Sequence, residues 1–346
     1  MALIFAAVGF VAWLLVLYPK QPGPGEGQRV DIHIAKGASL GEVAGALGRE
    51  GALASPRLFA VYARLVGADE RLRQGPVVLT DDLAPAGVLP HIARGFGSAW
   101  VRLTVPEGFN RFEVARRLAE WDVTDADAFL RVTGSADVVD RFGLAGETLE
   151  GYLFPATYRL AKETPPLEVA RDMVGTWRRR VMPLVEENPG GLARLKEDFG
   201  WGLHEVLTLA SIVEKEAAAS EERPVIAGVF LNRLRDPDFQ PKRLQADPTV
   251  AYGCVVDPSV ESCAEFDGGI SRTMLRGSDN RYNTYRAEGL PPGPIANPGT
   301  ASIRAVLAPA THDYLYFVAR GAGRHRFSVS LEEHAEAVGS RDEAAP

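Results

Sequence analysis

The stretch Val30-Asp31-Ile32-His33-Ile34-Ala35-Lys36-Gly37-Ala38-Ser39, continued by Glu42-Val43-Ala44 and Leu47, returns 71 residues later. The second copy is Val101-Arg102-Leu103-Thr104-Val105-Pro106-Glu107-Gly108-Phe109-Asn110, continued by Glu113-Val114-Ala115 and Leu118. In each copy apolar side chains first alternate with period two, which puts them on one face of a strand, and then recur at helical spacing. A Gly turn separates the two periods, and Ser39 or Asn110 stands where a helix N-cap belongs. Each copy therefore reads as a strand, a turn, an amphipathic helix and a second helix. The fold class predicted from this repeat is α+β.

N-terminal to the repeat, Ala2 to Tyr18 form an uncharged run of seventeen residues closed by Pro19-Lys20. A spanning helix needs about 17 to 25 such residues, and residues 19–28, Pro-Lys-Gln-Pro-Gly-Pro-Gly-Glu-Gly-Gln, contain no small-x-small cleavage site. Residues 1–19 are thus predicted to be an uncleaved single-pass membrane anchor and 20–28 a linker. No Lys or Arg precedes the run, so charge bias assigns no orientation. The 346-residue chain is 46% hydrophobic, enough for a sizeable core, and its net charge of −7 argues against nucleic acid as a partner.

C-terminal to the repeat, Glu150 to Tyr158 is aromatic and turn-rich, reading as strand or loop at a cleft. Leu167 to Glu187 has helical period, with Trp177, Val181 and Leu184 inward, and Gly190-Gly191 reads as a break. A helix bearing Glu216 follows, then Ser220 as the N-cap of a helix carrying Val225, Val229 and Leu231 to Leu234. From Gln245 the sequence turns rich in Pro and Gly, predicting loops between short strands. Tyr314 to Ala319 reads as a buried core strand, His325 and Phe327 lie on the next strand, Leu331 to Val338 form a helix, and 341–346 a loose tail. Cys254 and Cys263, the two cysteines of the chain, are predicted to pair in an oxidising compartment, the alternative being two unrelated buried thiols. No metal site is expected, because neither they nor the scattered histidines have ligand spacing.

The chemistry concentrates on Leu209-Ala210-Ser211-Ile212-Val213-Glu214-Lys215-Glu216. At 100° per residue Val206, Leu209, Ala210, Val213 and Ala217 share a buried stripe, and Glu216 borders it. Glu214 is rotated about 200° from Glu216, so the two cannot share one cleft wall. Desolvation raises a carboxyl pKa towards the range in which it can give up a proton near neutral pH, which makes Glu216 the candidate general acid. The alternative is a solvated helix end with ordinary charge pairs. Asp247, in Leu244-Gln245-Ala246-Asp247-Pro248-Thr249, is either a turn cap or a group that contacts substrate or orients Glu216. Gln245, Thr249, Tyr282, Asn283 and Tyr285 supply neutral hydrogen-bonding groups and ring faces suited to amide-bearing sugars. No phosphate loop, dinucleotide fingerprint or His-Glu-x-x-His helix is present, and no cofactor is expected.

Six segments in order resemble the YceG-like family of endolytic murein transglycosylases. They are 149–158, Ala210 to Glu216, Val229-Phe230-Leu231-Asn232-Arg233-Leu234, Leu244 to Gly253, Tyr282-Asn283-Thr284-Tyr285 and Gly289-Leu290-Pro291-Pro292-Gly293-Pro294-Ile295. The resemblance implies that Glu216 is catalytic and that Glu150, Tyr158, Gln245, Asp247, Thr249, Tyr282, Asn283, Thr284 and Tyr285 belong to a glycan cleft. It also implies a LysM-like subdomain at 29–97 and a catalytic region at 98–340, made of a second small α+β unit at 98–148 and a core at 149–340. The implied activity cuts the β-1,4 bond between MurNAc and GlcNAc in nascent strands, leaving 1,6-anhydro ends. The implied location is the inner membrane with the catalytic region in the periplasm, and the implied partners are glycan strands and peptidoglycan synthases. A hydroxyl residue often follows the acid in this family; here it is Ala217, which leaves no neighbouring hydroxyl for a role.

Overall fold

The uncharged N-terminal run coils into helix α1 (Ala2–Val16), and among the described residues no helix is long and apolar enough to cross a membrane. A computed structural model describes residues 2–69, 72, 74–93 and 100–342, and the chain divides into two compact units, Met1–Trp100 and Val101–Pro346. In the first unit the end of the apolar run is packed rather than free. Leu14 and Tyr18 are buried, and the Tyr18 ring meets Tyr62 at 5.8 Å. The predicted linker is pinned as well: Gly23 N–H donates to the Asp82 carbonyl at 3.0 Å and Gly25 N–H to that of Asp81 at 3.1 Å, while Gly27 and Gln28 N–H both reach Asp81 Oδ1.

The first copy of the repeat gives strand β1 (Arg29–Ile34), α2 (Leu40–Arg49) and α3 (Pro56–Leu65), followed by β2 (Gly75–Thr80) and α4 (Pro85–Ala93). β1 alternates exposed and buried residues as read from sequence, and it pairs antiparallel with β2, Val30 facing Leu79. The second copy gives β3 (Trp100–Thr104), α5 (Arg111–Glu120), α6 (Ala126–Thr133) and the short α7 (Ala136–Arg141). Its strand is joined by β4 (Thr157–Ala161), from beyond the repeat. At both Ser39 and Asn110 the cap accepts from the backbone of the glutamate three places on, whose carboxylate accepts from the cap's own N–H. Two of the four orphan N–H groups of each helix are thereby satisfied.

The rest of the second unit is mostly helical: α8 (Pro166–Glu187), α9 (Pro189–Phe199), α10 (Leu203–Glu216), α11 (Arg223–Arg235), α12 (Asp247–Val256), α13 (Arg272–Arg276) and α14 (Thr300–Leu307). A hairpin of β5 (Tyr316–Gly321) and β6 (Arg324–Ser328) and a last helix α15 (Leu331–Asp342) close it. α10 is central: every residue from Val206 to Val213 is buried, a full circumference rather than the single stripe expected.

Several sequence expectations are corrected. Gly190-Gly191 lies inside α9, where a Cβ on Gly191 would stand 2.1 Å from the Leu307 carbonyl; glycine there permits a helix contact instead of ending a helix. Ser220 caps nothing, since Ser220–Glu222 is a single 3-10 turn before α11. Between Gln245 and Leu315 the expected loops are present, but they connect helices α12, α13 and α14 instead of short strands; in α12, Pro248 falls in the first turn, where a missing N–H is harmless. β5 is half-buried to exposed, not core. α15 runs on to Asp342, and of the expected tail 343–346 lie outside the described residues.

Candidate active site

Glu216 is the last residue of α10 and half-buried. Burial pushes its carboxyl up to about 7, the negative charge of Asp247 adds to that rise, and the positive charge of Arg233 opposes it. No hydrogen bond to this carboxyl is made among the described residues, so its proton is not committed to a neighbour. Asp247 is exposed at the first turn of α12, and its Oδ1 accepts the Tyr285 hydroxyl at 2.6 Å. It is therefore neither a turn cap nor a free base.

Two threonines hold this wall of the site. The Thr249 and Thr284 hydroxyls meet at 2.9 Å, Thr249 donates to the Ala246 carbonyl, and Ala246 N–H donates to the Thr284 hydroxyl. Both threonines are buried, so they align the Asp247 and Tyr285 segments from behind. Gln245, between them, takes a left-handed φ of 56° while its N–H bonds the Thr284 carbonyl, and its exposed side chain is the polar amide of this edge. A non-glycine residue in that region costs of order 1 kcal/mol and is retained where surrounding contacts dictate it. Asn283 turns inward: its amide donates to the carbonyls of Met274, Leu275 and Gly277, closing the C-terminal end of α13.

Glu150 belongs to a second cluster. Fully buried, it accepts the Arg111 N–H with both oxygens at 3.0 and 2.9 Å, the Asn297 amide at 2.9 Å and the Tyr252 hydroxyl at 2.9 Å. The carboxylate sits at the positive end of α5 and ties it to α12. Burial pushes it up to about 7 against the pull of those donors. Tyr282 is half-buried beside this cluster, its ring 5.0 Å from that of Tyr252. Tyr158 joins neither group; its ring is buried and its hydroxyl donates to the Phe154 carbonyl at 2.5 Å.

On the opposite flank of α10, Glu214 is almost wholly buried and pairs with Arg223 at 3.0 Å, while accepting from Gly299 N–H and the Ser302 hydroxyl. The rotation between Glu214 and Glu216 read from sequence is realised, but Glu214 is not a solvated residue. Cys254 and Cys263 are joined as a disulfide, Cα–Cα 5.2 Å. Sequence reasoning passed over Arg233 and its neighbours Tyr316 and His334; a lone arginine within the apolar run of α11 was the available signal.

Comparison with known proteins places this geometry. The YceG-like family matches residues 32–340. The chain belongs to the YceG-like family. The endolytic murein transglycosylase of Bacillus subtilis (strain 168) is 30% identical over 89% of this chain and 83% of its own length. The enzyme of the same name from Streptococcus pneumoniae serotype 2 is 27% identical over 96% of this chain, which spans 62% of that relative. A crystal structure of a yceG-like protein from Listeria monocytogenes, 27% identical, superposes with a TM-score of 0.57 over 90% of this chain and all of that one.

Proposed function

We propose that this YceG-like protein is an endolytic murein transglycosylase, a lyase that cuts within peptidoglycan strands with Glu216 as its proton-transfer group. The observation that carries the reading is a half-buried carboxyl raised to about 7 that makes no hydrogen bond among the described residues. Hydrolysis of a glycosidic bond commonly takes two carboxyl groups. An intramolecular transfer takes one: Glu216 protonates the leaving oxygen between MurNAc and GlcNAc, and its carboxylate then accepts the proton of the C6 hydroxyl as that oxygen closes on C1. The product is a 1,6-anhydro end and no water is consumed. Asp247, held by Tyr285, places its carboxyl group near the oxocarbenium-like centre, while Gln245 and the Tyr285 ring supply contacts for the sugars. The support for these roles is proximity and chemistry.

The uncharged run through Tyr18 is read as the membrane anchor, with the body in the periplasm among nascent strands and synthases; a disulfide suits that compartment. Residues 29–97 are read as a LysM-like subdomain that meets glycan. Mass spectrometry of digested sacculi tests the activity. Ends bearing 1,6-anhydroMurNAc support it, reducing ends indicate a hydrolytic muramidase, and intact strands indicate a non-catalytic scaffold.

A further inference from the structure

Arg233 is 6% exposed, and among the described residues it pairs with no carboxylate. Its Nε donates to the Leu315 carbonyl at 2.6 Å and its Nη1 to the Leu244 carbonyl. The rings of Phe230, Phe239, Tyr316 and Phe317 surround the guanidinium carbon at 5.6 to 5.9 Å. Carbonyl dipoles and ring faces lessen the penalty of burying this cation without neutralising it. Burial lowers its proton affinity, to about 10, and the groups whose charges oppose that fall are Tyr316, Tyr285 and Glu216. A buried, unneutralised cation is a poor stabilising device, since an apolar side chain of similar volume would pack there without the desolvation penalty. Its two tethers, however, fall at informative places. Leu244 opens the segment that carries Gln245 and Asp247, and Leu315 precedes β5.

We propose that Arg233 is a positioning residue for the cleavage reaction, tying the Asp247 segment and β5 to α11 and holding a positive charge towards the Glu216 carboxyl. This rests on the reading of Glu216 as the proton-transfer group. Fixing the Leu244 carbonyl fixes where α12 begins, and so where Asp247 and Tyr285 stand relative to Glu216. The charge offsets the repulsion between Asp247 and an ionised Glu216, so the second half of the reaction, in which Glu216 is again a carboxylate, remains accessible. The groups around the guanidinium and the carboxyl are Asp247 on α12, Tyr285 on its loop, Tyr316 on β5 and His334 on α15, whose imidazole stacks on Tyr316 at 5.3 Å and has its proton affinity lowered by burial and by the Arg233 charge.

The test separates charge from tether and does not depend on activity alone. In protein labelled with ¹³C at glutamate side chains, and with the Glu216 signal assigned through Glu216→Gln, carboxyl titrations are compared for the wild type, Arg233→Gln and Arg233→Lys. Loss of the charge in Arg233→Gln moves the Glu216 midpoint upward by about one pH unit. Arg233→Lys keeps the charge but cannot reach both carbonyls, so its midpoint stays near that of the wild type while cleavage of glycan strands falls at least about ten-fold. An unmoved midpoint in Arg233→Gln, or full cleavage by Arg233→Lys, overturns the proposal. Should Arg233→Gln fail to fold, the lysine variant decides alone. A wild type that does not cleave would remove the functional reading, and the titrations would still decide whether Arg233 governs Glu216.

Discussion

Glu150 and Glu216 have carboxyls raised to about the same point, near 7, with burial as the first cause in both. They differ in everything that decides what a proton there can do. Glu150 receives the Arg111 N–H, the Asn297 amide and the Tyr252 hydroxyl and has no open side. A proton arriving on it must displace one of those donors, and no substrate can approach. Among the described residues Glu216 has no such donor; it keeps one flank in solvent and has charges of both signs within range. Among the described residues two carboxyls are raised to about 7, and the inventory of donors separates the structural Glu150 from Glu216, the proposed proton-transfer group. Glu214 is the third variant, a buried carboxylate neutralised by Arg223.

Stability measurements sharpen this contrast. The largest effect belongs to Glu150→Ala, which strands a backbone N–H, an amide and a hydroxyl in the core; urea denaturation is expected to show a loss of about 4 kcal/mol. A smaller loss, about 3 kcal/mol, follows from Glu214→Ala, because the Arg223 guanidinium is left buried without its partner. Replacing Cys254 and Cys263 by serine opens a short loop and lowers stability by about 2 kcal/mol under the same denaturant.

The smallest effect is the most pointed. Because the folded-state value of Glu216 lies above the ordinary 4.5, the folded protein holds this proton more tightly than the unfolded chain does. The associated stability is full below about pH 4.5 and is lost as pH rises through about 7. Glu216→Gln cannot ionise, so its stability should match the wild type at pH 4 and exceed it at pH 8, by about 1 kcal/mol once the full shift is discounted for solvent screening of this half-exposed side chain. A variant that is less stable than the wild type at pH 8 would show that the ionised Glu216 is well accommodated and would erase its difference from Glu150.

The repeat made the first half legible: alternation gave β1 and β3, helical spacing gave α2 and α5, and Ser39 and Asn110 stand where the caps are. Glu216 was legible because a helix fixes the angular relation of neighbours, and its separation from Glu214 follows from that rule. What failed was local punctuation whose meaning depends on tertiary contact. Gly191 is small to let α9 approach the Leu307 carbonyl, not to break a helix, and Pro248 stands in a helix's first turn. The polar cluster was read by residue type, which cannot tell Gln245, exposed at an edge, from Asn283, whose amide closes a buried helix end. Arg233 was hidden for a related reason: its neighbours Leu244, Leu315 and Tyr316 are distant in sequence.

The central claim is that the proton is moved by Glu216 and by no other carboxyl of α10. Isolated glycan strands, incubated with the wild type, Glu216→Gln and Glu214→Gln at concentrations where each is verified as folded, test it through the yield of 1,6-anhydroMurNAc ends. The account predicts a loss of at least about a thousand-fold for Glu216→Gln, since the change is isosteric and removes only the transferable proton, and substantial residual cleavage for Glu214→Gln. A folded Glu216→Gln variant that cleaves like the wild type, or a folded Glu214→Gln variant that is inactive while Glu216→Gln remains active, would contradict it.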